Sequence, residues 1–237
     1  MDKAWARYLA VTATVGVYIG LGFWLRPDAN TYLLLGIPIT LVYQLAVARR
    51  PLRALWLPDG SFRVDRWVLP IFAVLIVGPL WTLAEAESAP VVVYSVLTLG
   101  TAAGAACALR VMERRWWREL AWMLAILAVV AVIRGDVPGA VHWLLFYLPA
   151  GFLVEEVLFR GALDLGSWPG AAWVSLLWGL WHLPILDAVT PLTVAWVLGA
   201  QLVLGLGLTW LWRRSGNLAA PASAHAILDS LRNVVGA

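Results

Sequence analysis

Six ionisable side chains stand within long apolar stretches in the C-terminal part of the 237-residue chain. They are Glu155, Glu156, Arg160, His182, His225 and Asp229. Carboxylates and imidazoles are the side chains that most often transfer protons in catalysis, and both can also bind zinc. An ionisable residue at the centre of a membrane helix costs about 2.5–3.5 kcal/mol on insertion scales, so this set indicates a functional site.

Spacing predicts that these groups lie in one layer. Counted from the Gly166–Pro169 turn, Glu155 lies 11 residues before its start and His182 lies 13 residues after its end. At about 1.5 Å per residue, both would lie about 16–20 Å from the same membrane surface. His225 and Asp229 are four residues apart and therefore share one face of a further helix. Three helices are thus expected to contribute polar groups at similar depth.

The two adjacent glutamates are expected to play different parts. Glu156 and Arg160 have the i, i+4 order that favours an ion pair, which would support the site structurally. Glu155 is rotated by about 100° from Glu156 and is left as the candidate general base or acid. A plainer alternative is that these charges only mark the surface end of a membrane helix. The remaining histidine, His142, is interpreted as an interfacial residue.

The composition defines the class of protein that must hold these groups. The chain is 62% hydrophobic and 13% charged, with a mean hydropathy of +0.81. Soluble domains are about 45–50% apolar and about 25% charged, so a soluble enzyme, a disordered chain and a basic nucleic-acid-binding domain are excluded. The single cysteine, Cys107, excludes a disulfide framework and a cysteine-based metal site. A polytopic helical membrane protein remains.

Charged and turn-forming residues divide the chain into apolar segments near the length of about 20 residues that a membrane helix needs. The predicted spans are Tyr8–Leu25, Tyr32–Val47, Trp67–Ala84, Pro90–Leu109, Trp116–Ile133, Ala140–Gly166, Pro169–Leu186 and Pro191–Trp212, followed by a C-terminal helix over Leu218–Val235. The predicted fold is an all-α membrane bundle of about eight spans plus this C-terminal membrane helix. We expect one integral membrane domain over residues 1–237, with a motif-bearing core at about 140–235.

Arginine residues concentrate in alternate loops, above all in Arg49–Arg66 and Arg110–Arg118. Because cytoplasmic loops carry the excess of positive charge, this pattern predicts a cytoplasmic N-terminus. The cytoplasmic membrane of a bacterium is the expected location. The Arg49–Arg66 connection is interpreted as a short amphipathic cytoplasmic segment.

Three short motifs resemble those of a known family. Residues 155–160 match the pattern E-E-x-x-x-R, residues 178–182 resemble F-x-x-x-H, and residues 225–229 resemble H-x-x-x-N. Their order and depth are similar to those of the CAAX protease and bacteriocin-processing family of intramembrane proteases. Trp178 stands in place of Phe and keeps an aromatic wall, while Asp229 stands in place of Asn. The first five predicted spans carry no signature of the family.

The resemblance implies hydrolysis of a peptide bond by water inside the membrane. Glu155 and His182 would activate the water, and His225 with Asp229 would form the oxyanion site. An ionised Asp229 cannot donate a hydrogen bond, so it must either carry a proton or orient His225. Such a glutamate-dependent protease would need no cofactor.

Zinc is the alternative that the same residues leave open. Glu155, His182, His225 and Asp229 could act as its ligands, since an aspartate binds a metal better than an asparagine does. The zinc-protease helix H-E-x-x-H is absent from the sequence, which favours the mechanism without a metal.

The expected partners are membrane lipid and a membrane-tethered or lipidated peptide or protein substrate, with no nucleic acid. A catalytically silent membrane scaffold or immunity protein of the same family is an alternative, and it would predict erosion of the motifs. A proton-coupled transporter is a further alternative. It would predict ionisable residues spread along a path through several spans, whereas here they form one layer.

Overall fold

The computed structural model describes residues 3–27, 29–85, 91–150 and 154–236. Helix accounts for 82% of the structure, and these ranges contain no strand. The all-α class predicted from the sequence is therefore confirmed.

Nine α-helices occur in the described residues. They are α1 (Lys3–Leu25), α2 (Ala29–Val42), α3 (Val68–Glu85), α4 (Val91–Val111), α5 (Arg114–Arg134), α6 (Val137–Ala150), α7 (Trp168–Trp181), α8 (Pro191–Ser215) and α9 (Ala219–Gly236). Two π-helical segments cover Tyr43–Val47 and Val157–Ala162, and 3-10 turns cover Leu52–Leu55 and Leu183–Ile185.

Membrane-spanning character is clearest in three of these helices. Among the described residues, Ala4–Leu25, Arg114–Arg134 and Pro191–Ser215 are long and apolar enough to cross a membrane. Two shorter apolar helices cover Tyr32–Val47 and Val68–Val77. The chain is thus an integral membrane protein, while the count of eight spans plus one stays a prediction.

Two predicted spans in the motif region differ from the observed helices. The sixth, Ala140–Gly166, begins in α6, crosses residues 151–153 outside the described part, and ends with the π-helical segment at Ala162. The seventh was predicted to continue through Leu186, which is wrong, because α7 ends at Trp181. Pro184 explains the early end, since a proline has no N–H for the helix and disfavours helical geometry in the residue before it.

Contacts between Cα atoms divide the chain into two compact units. Unit 1 comprises Met1–Leu52 and Leu158–Trp210, and unit 2 comprises Arg53–Val157 and Leu211–Ala237. In unit 1, α1 packs against α2 and α7. In unit 2, α9 packs against α4, α5 and α6. The single domain over residues 1–237 stays a prediction.

The start of α9 in unit 2 is held by the segment that follows Leu52. Residues 54–57 are buried, and Trp56 is only 3% exposed. The carbonyl oxygen of Trp56 accepts a hydrogen bond from the backbone N–H of Leu218, at 3.0 Å. The Trp56 indole lies so close to α4 that a Cβ at Gly104 would overlap its ring nitrogen. The apolar part of the predicted amphipathic connection therefore serves as packing for α4 and α9.

We predict that Gly104→Ala lowers the free energy of unfolding by about 1–3 kcal/mol, because the added methyl group overpacks the contact with Trp56. Gly100→Ala is the matched control. It lies one turn earlier on α4 with no atom within 4 Å of a built Cβ, so it should be neutral or stabilising by up to about 1 kcal/mol. Thermal unfolding in detergent measures both. Equal melting of the two variants would contradict the packing described for Trp56.

Candidate active site

The first motif lies on a distorted helical segment. The backbone N–H of Leu163 donates to the carbonyl oxygen of Leu158 at 2.9 Å, an i to i−5 bond of the π-helical kind. Such widened turns occur often at functional sites in helices. Glu155 is 8% exposed and Glu156 is fully buried. Both glutamates belong to unit 2, and the chain passes into unit 1 after Val157.

Glu156 contacts a histidine on α9. Its Oε1 lies 3.0 Å from Nδ1 of His225, and the two side chains are 0% and 4% exposed. The charge of Glu155 also acts on His225. The i, i+4 spacing does not predict this contact, because it indicates only neighbours on the same helix. The ion pair between Glu156 and Arg160 stays a prediction. The motif brings Glu156 and His225 together within unit 2.

Asp229 lies on the other side of the same imidazole. Its Oδ2 is 3.4 Å from Nε2 of His225, as the four-residue spacing on α9 allows. Its Oδ1 is 3.3 Å from Nη1 of Arg232, and the Asp229 side chain is 16% exposed. The carboxylate of Asp229 is thus the more accessible of the two that flank His225.

The positions of these acceptors restrict what His225 can do. Ionised carboxylates only accept hydrogen bonds, so both contacts of His225 can be hydrogen bonds only if the ring carries two protons, or if one carboxyl group is protonated and donates to the ring. A metal ligand needs an unprotonated ring nitrogen, and here each nitrogen faces a carboxylate oxygen. Within the described ranges, no three His, Cys, Asp or Glu side chains lie together so that they could hold a metal ion. Zinc bound by Glu155, His182, His225 and Asp229 stays a prediction, since His182 belongs to unit 1 and the other three residues to unit 2.

The second motif positions His182 in unit 1. Ser167 caps the start of α7 by accepting a hydrogen bond from the backbone N–H of Gly170. His182 follows the last residue of α7, and its Nδ1 lies 2.8 Å from the carbonyl oxygen of Trp178. A carbonyl can only accept, so Nδ1 carries a proton. In the neutral ring Nε2 therefore holds the lone pair, which suits a base.

Trp178 stacks on the arginine of the first motif. The guanidinium carbon of Arg160 lies 4.0 Å from the centroid of the Trp178 ring, and both residues belong to unit 1. Arg160 is 2% exposed and Trp178 is fully buried. A desolvated cation–π contact stabilises by about 2 kcal/mol or more, and tryptophan provides the strongest such surface. Tryptophan in place of phenylalanine therefore supports a buried arginine in addition to forming an aromatic wall.

Two residues beside His182 were missed by the sequence analysis. The side-chain amide nitrogen of Gln201, on α8, lies 3.4 Å from His182 Nε2. The hydroxyl of Tyr32 donates to the carbonyl oxygen of Trp181 at 2.9 Å, and its ring stacks on the Trp181 ring with centroids 5.2 Å apart. Gln201 had a usable signal, as a polar side chain within an apolar helix. Tyr32 had none, because an aromatic residue near a span end is typical of interfacial packing.

The fold and these side chains define the class of protein as an all-helical integral membrane protein with buried glutamate and histidine residues. Residues 137–231 match the Rce1-like family model, described as type II CAAX prenyl endopeptidase Rce1-like. The matched range contains all three motifs, and the family resemblance is therefore confirmed. No curated protein and no solved structure matches the chain significantly.

We predict that Trp178→Leu lowers the free energy of unfolding by about 2 kcal/mol more than Trp178→Phe does, because only phenylalanine keeps an aromatic face under Arg160. Trp196, which is 76% exposed on α8, supplies the control. Trp196→Leu should change stability by less than about 0.5 kcal/mol. Chemical or thermal unfolding in detergent compares the variants. Equal losses for the two Trp178 variants would show that the stack contributes no stability.

Proposed function

We propose that the protein is an intramembrane endopeptidase that hydrolyses a peptide bond in a membrane-associated or lipidated protein. This proposal rests on the match of residues 137–231 to an endopeptidase family. The matched range includes the candidate site residues Glu155, His182, His225 and Asp229. We propose that the enzyme lies in the cytoplasmic membrane of a bacterium. The arginine pattern of its loops supports an N-terminus on the inner side.

Glu155 and His182 are proposed as the water-activating groups. Glu155 would take a proton from water, and the resulting hydroxide would attack the scissile carbonyl carbon. The carbonyl oxygen then carries the negative charge, and the proton passes to the leaving amine when the carbon–nitrogen bond breaks. His182 supports this role because the Trp178 carbonyl fixes its proton on Nδ1 and leaves Nε2 as acceptor.

His225 is proposed as the donor to the oxyanion. Glu156 is fully buried and holds Nδ1, so the N–H at Nε2 is the one that can exchange its partner. Asp229, the more exposed carboxylate, now faces Nε2 at 3.4 Å. An oxyanion would replace Asp229 at that nitrogen, or bind beside it if Asp229 carries a proton. Glu156 thus acts as a positioning residue for His225.

The proposal includes no metal. The described residues do not provide a metal-binding cluster, and both nitrogens of His225 face carboxylates. Zinc held by Glu155, His182, His225 and Asp229 is the alternative mechanism, and a variant at Asp229 distinguishes the two.

We predict that Glu155→Gln and His182→Ala each lower proteolysis by about 10²–10⁴-fold while the protein still accumulates in the membrane, because each removes a proton-transfer group. Quantitative mass spectrometry of cleavage products in membranes from cells with each variant measures the loss. Glu119→Gln and His142→Ala are matched controls at exposed positions, and both should cleave at the wild-type rate. Wild-type cleavage by either site variant would overturn the proposed roles.

We predict that Asp229→Asn keeps or raises proteolysis, because the amide offers a permanent N–H donor to the oxyanion. Loss of the exposed contact with Arg232 should cost no more than about 1 kcal/mol. Exhaustive chelation should leave the wild-type activity unchanged, and the purified protein should hold less than one zinc per chain.

Zinc ligation by Asp229 predicts the opposite result. The substitution would then weaken metal binding and activity together. If Asp229→Asn is inactive and the wild type holds one tightly bound metal ion, the metal-free mechanism is wrong. The assignment as an endopeptidase would still stand.

A further inference from the structure

Unit 2 contains an apolar groove that continues into a polar mouth. The groove has a volume of about 360 Å³, and side chains of α3, α4, α5 and α6 line it together with Ser223 and Ile227 of α9. The mouth, of about 390 Å³, shares Ile71, Leu109 and Trp117 with the groove. Ligand sites typically measure about 300–1,000 Å³, so the groove is large enough for one small apolar group or chain.

The mouth lies at the arginine-rich end of unit 2. Trp67 and Arg110 join its lining, and Trp67 and Trp117 are 54% and 45% exposed. Asp65 fixes Arg110 through contacts of 2.9 Å to Nε and 2.7 Å to Nη2. The hydrogen bond from Arg110 holds the pKa of Asp65 below its ordinary value, so this pair persists at neutral pH.

Positive charge exceeds negative charge around this end. Residues 63–66 and 110–119 contain six arginines and three carboxylates, a surplus of three positive charges. All of these arginines except the half-buried Arg110 are exposed. Basic clusters at the ends of membrane helices attract anionic lipid headgroups, and exposed tryptophans settle at headgroup level. The arginines would face the headgroup of a phospholipid, the exposed tryptophans its glycerol region, and the apolar groove one of its acyl chains.

We propose that this groove binds an anionic phospholipid, with one acyl chain between α3, α4 and α5 and the phosphate beside Arg110. The lining also includes Ser223 and Ile227, which lie two residues on either side of His225 along α9 and therefore on the face opposite to it. A bound lipid therefore braces the helix that carries His225 from its other face. The site is independent of whether the protein cleaves peptides.

Native mass spectrometry and thermal melting of the full-length protein in non-ionic detergent test the site. The probes are dioleoylphosphatidylglycerol and dioleoylphosphatidylcholine, which share their acyl chains and differ in headgroup charge. The wild type should retain the anionic lipid in preference to the zwitterionic one and melt at a higher temperature in its presence. Absence of that preference in the wild type would overturn the proposal without any variant.

Ala121→Trp should abolish lipid retention and the lipid-dependent rise in melting temperature, because Ala121 lines the groove and the indole would fill it. Ala128→Trp is the matched control, an exposed alanine two turns further along α5 that is not among the lining residues. It should bind lipid as the wild type does. Equal anionic-lipid retention by Ala121→Trp and the wild type would place the lipid elsewhere and overturn the assignment.

Discussion

The contact between Glu156 and His225 sets the main constraint on this structure. Both side chains are almost completely buried, and their atoms lie 3.0 Å apart. Removing one partner from a buried charged pair costs about 3–5 kcal/mol, because the other is left without compensation. The packing of unit 2 must therefore fix both the position of α9 along its axis and its rotation about that axis. Only then does the imidazole of His225 stay beside the carboxylate of Glu156.

Polar contacts at the first turn of α9 provide that fixation. The side-chain nitrogen of Asn217 donates to the carbonyl oxygen of Ala108 at 2.8 Å, and its side-chain oxygen accepts from the backbone N–H of Ala219 at 2.9 Å. The first contact ties the helix start to α4, while the second satisfies a backbone donor that the helix itself cannot. Together with the bond from Leu218 to Trp56, they hold α9 about two turns before His225. Small, buried alanines in this part of α9 allow close approach of neighbouring helices.

The sequence predicted the C-terminal helix and the closeness of His225 and Asp229 on it, but it did not predict the contact between helices that joins Glu156 to His225. The predicted C-terminal helix, Leu218–Val235, and the observed α9 agree within one residue at each end, because an apolar period and a preceding Gly216-Asn217 turn define it. The end of α7 was placed too late because apolar character continues past Pro184, whose backbone effect overrides hydropathy. Pairing of Glu156 with His225 depends on packing between helices, which spacing along one helix does not report.

The departure from the family motif at Asp229 is matched by its local surroundings. Asparagine would add no charge beside His225, whereas aspartate adds a negative charge to a region that already holds Glu155 and Glu156. Arg232, 3.3 Å away and one turn later on α9, places a positive charge on the accessible side of Asp229. The Arg232 side chain is largely exposed, so this ion pair stabilises the protein only slightly. It still offsets part of the repulsion between Asp229 and the two glutamates, and Arg232 does not have to be buried to do so. Arg232 therefore offsets part of the negative charge that aspartate adds at a position where the family motif has asparagine.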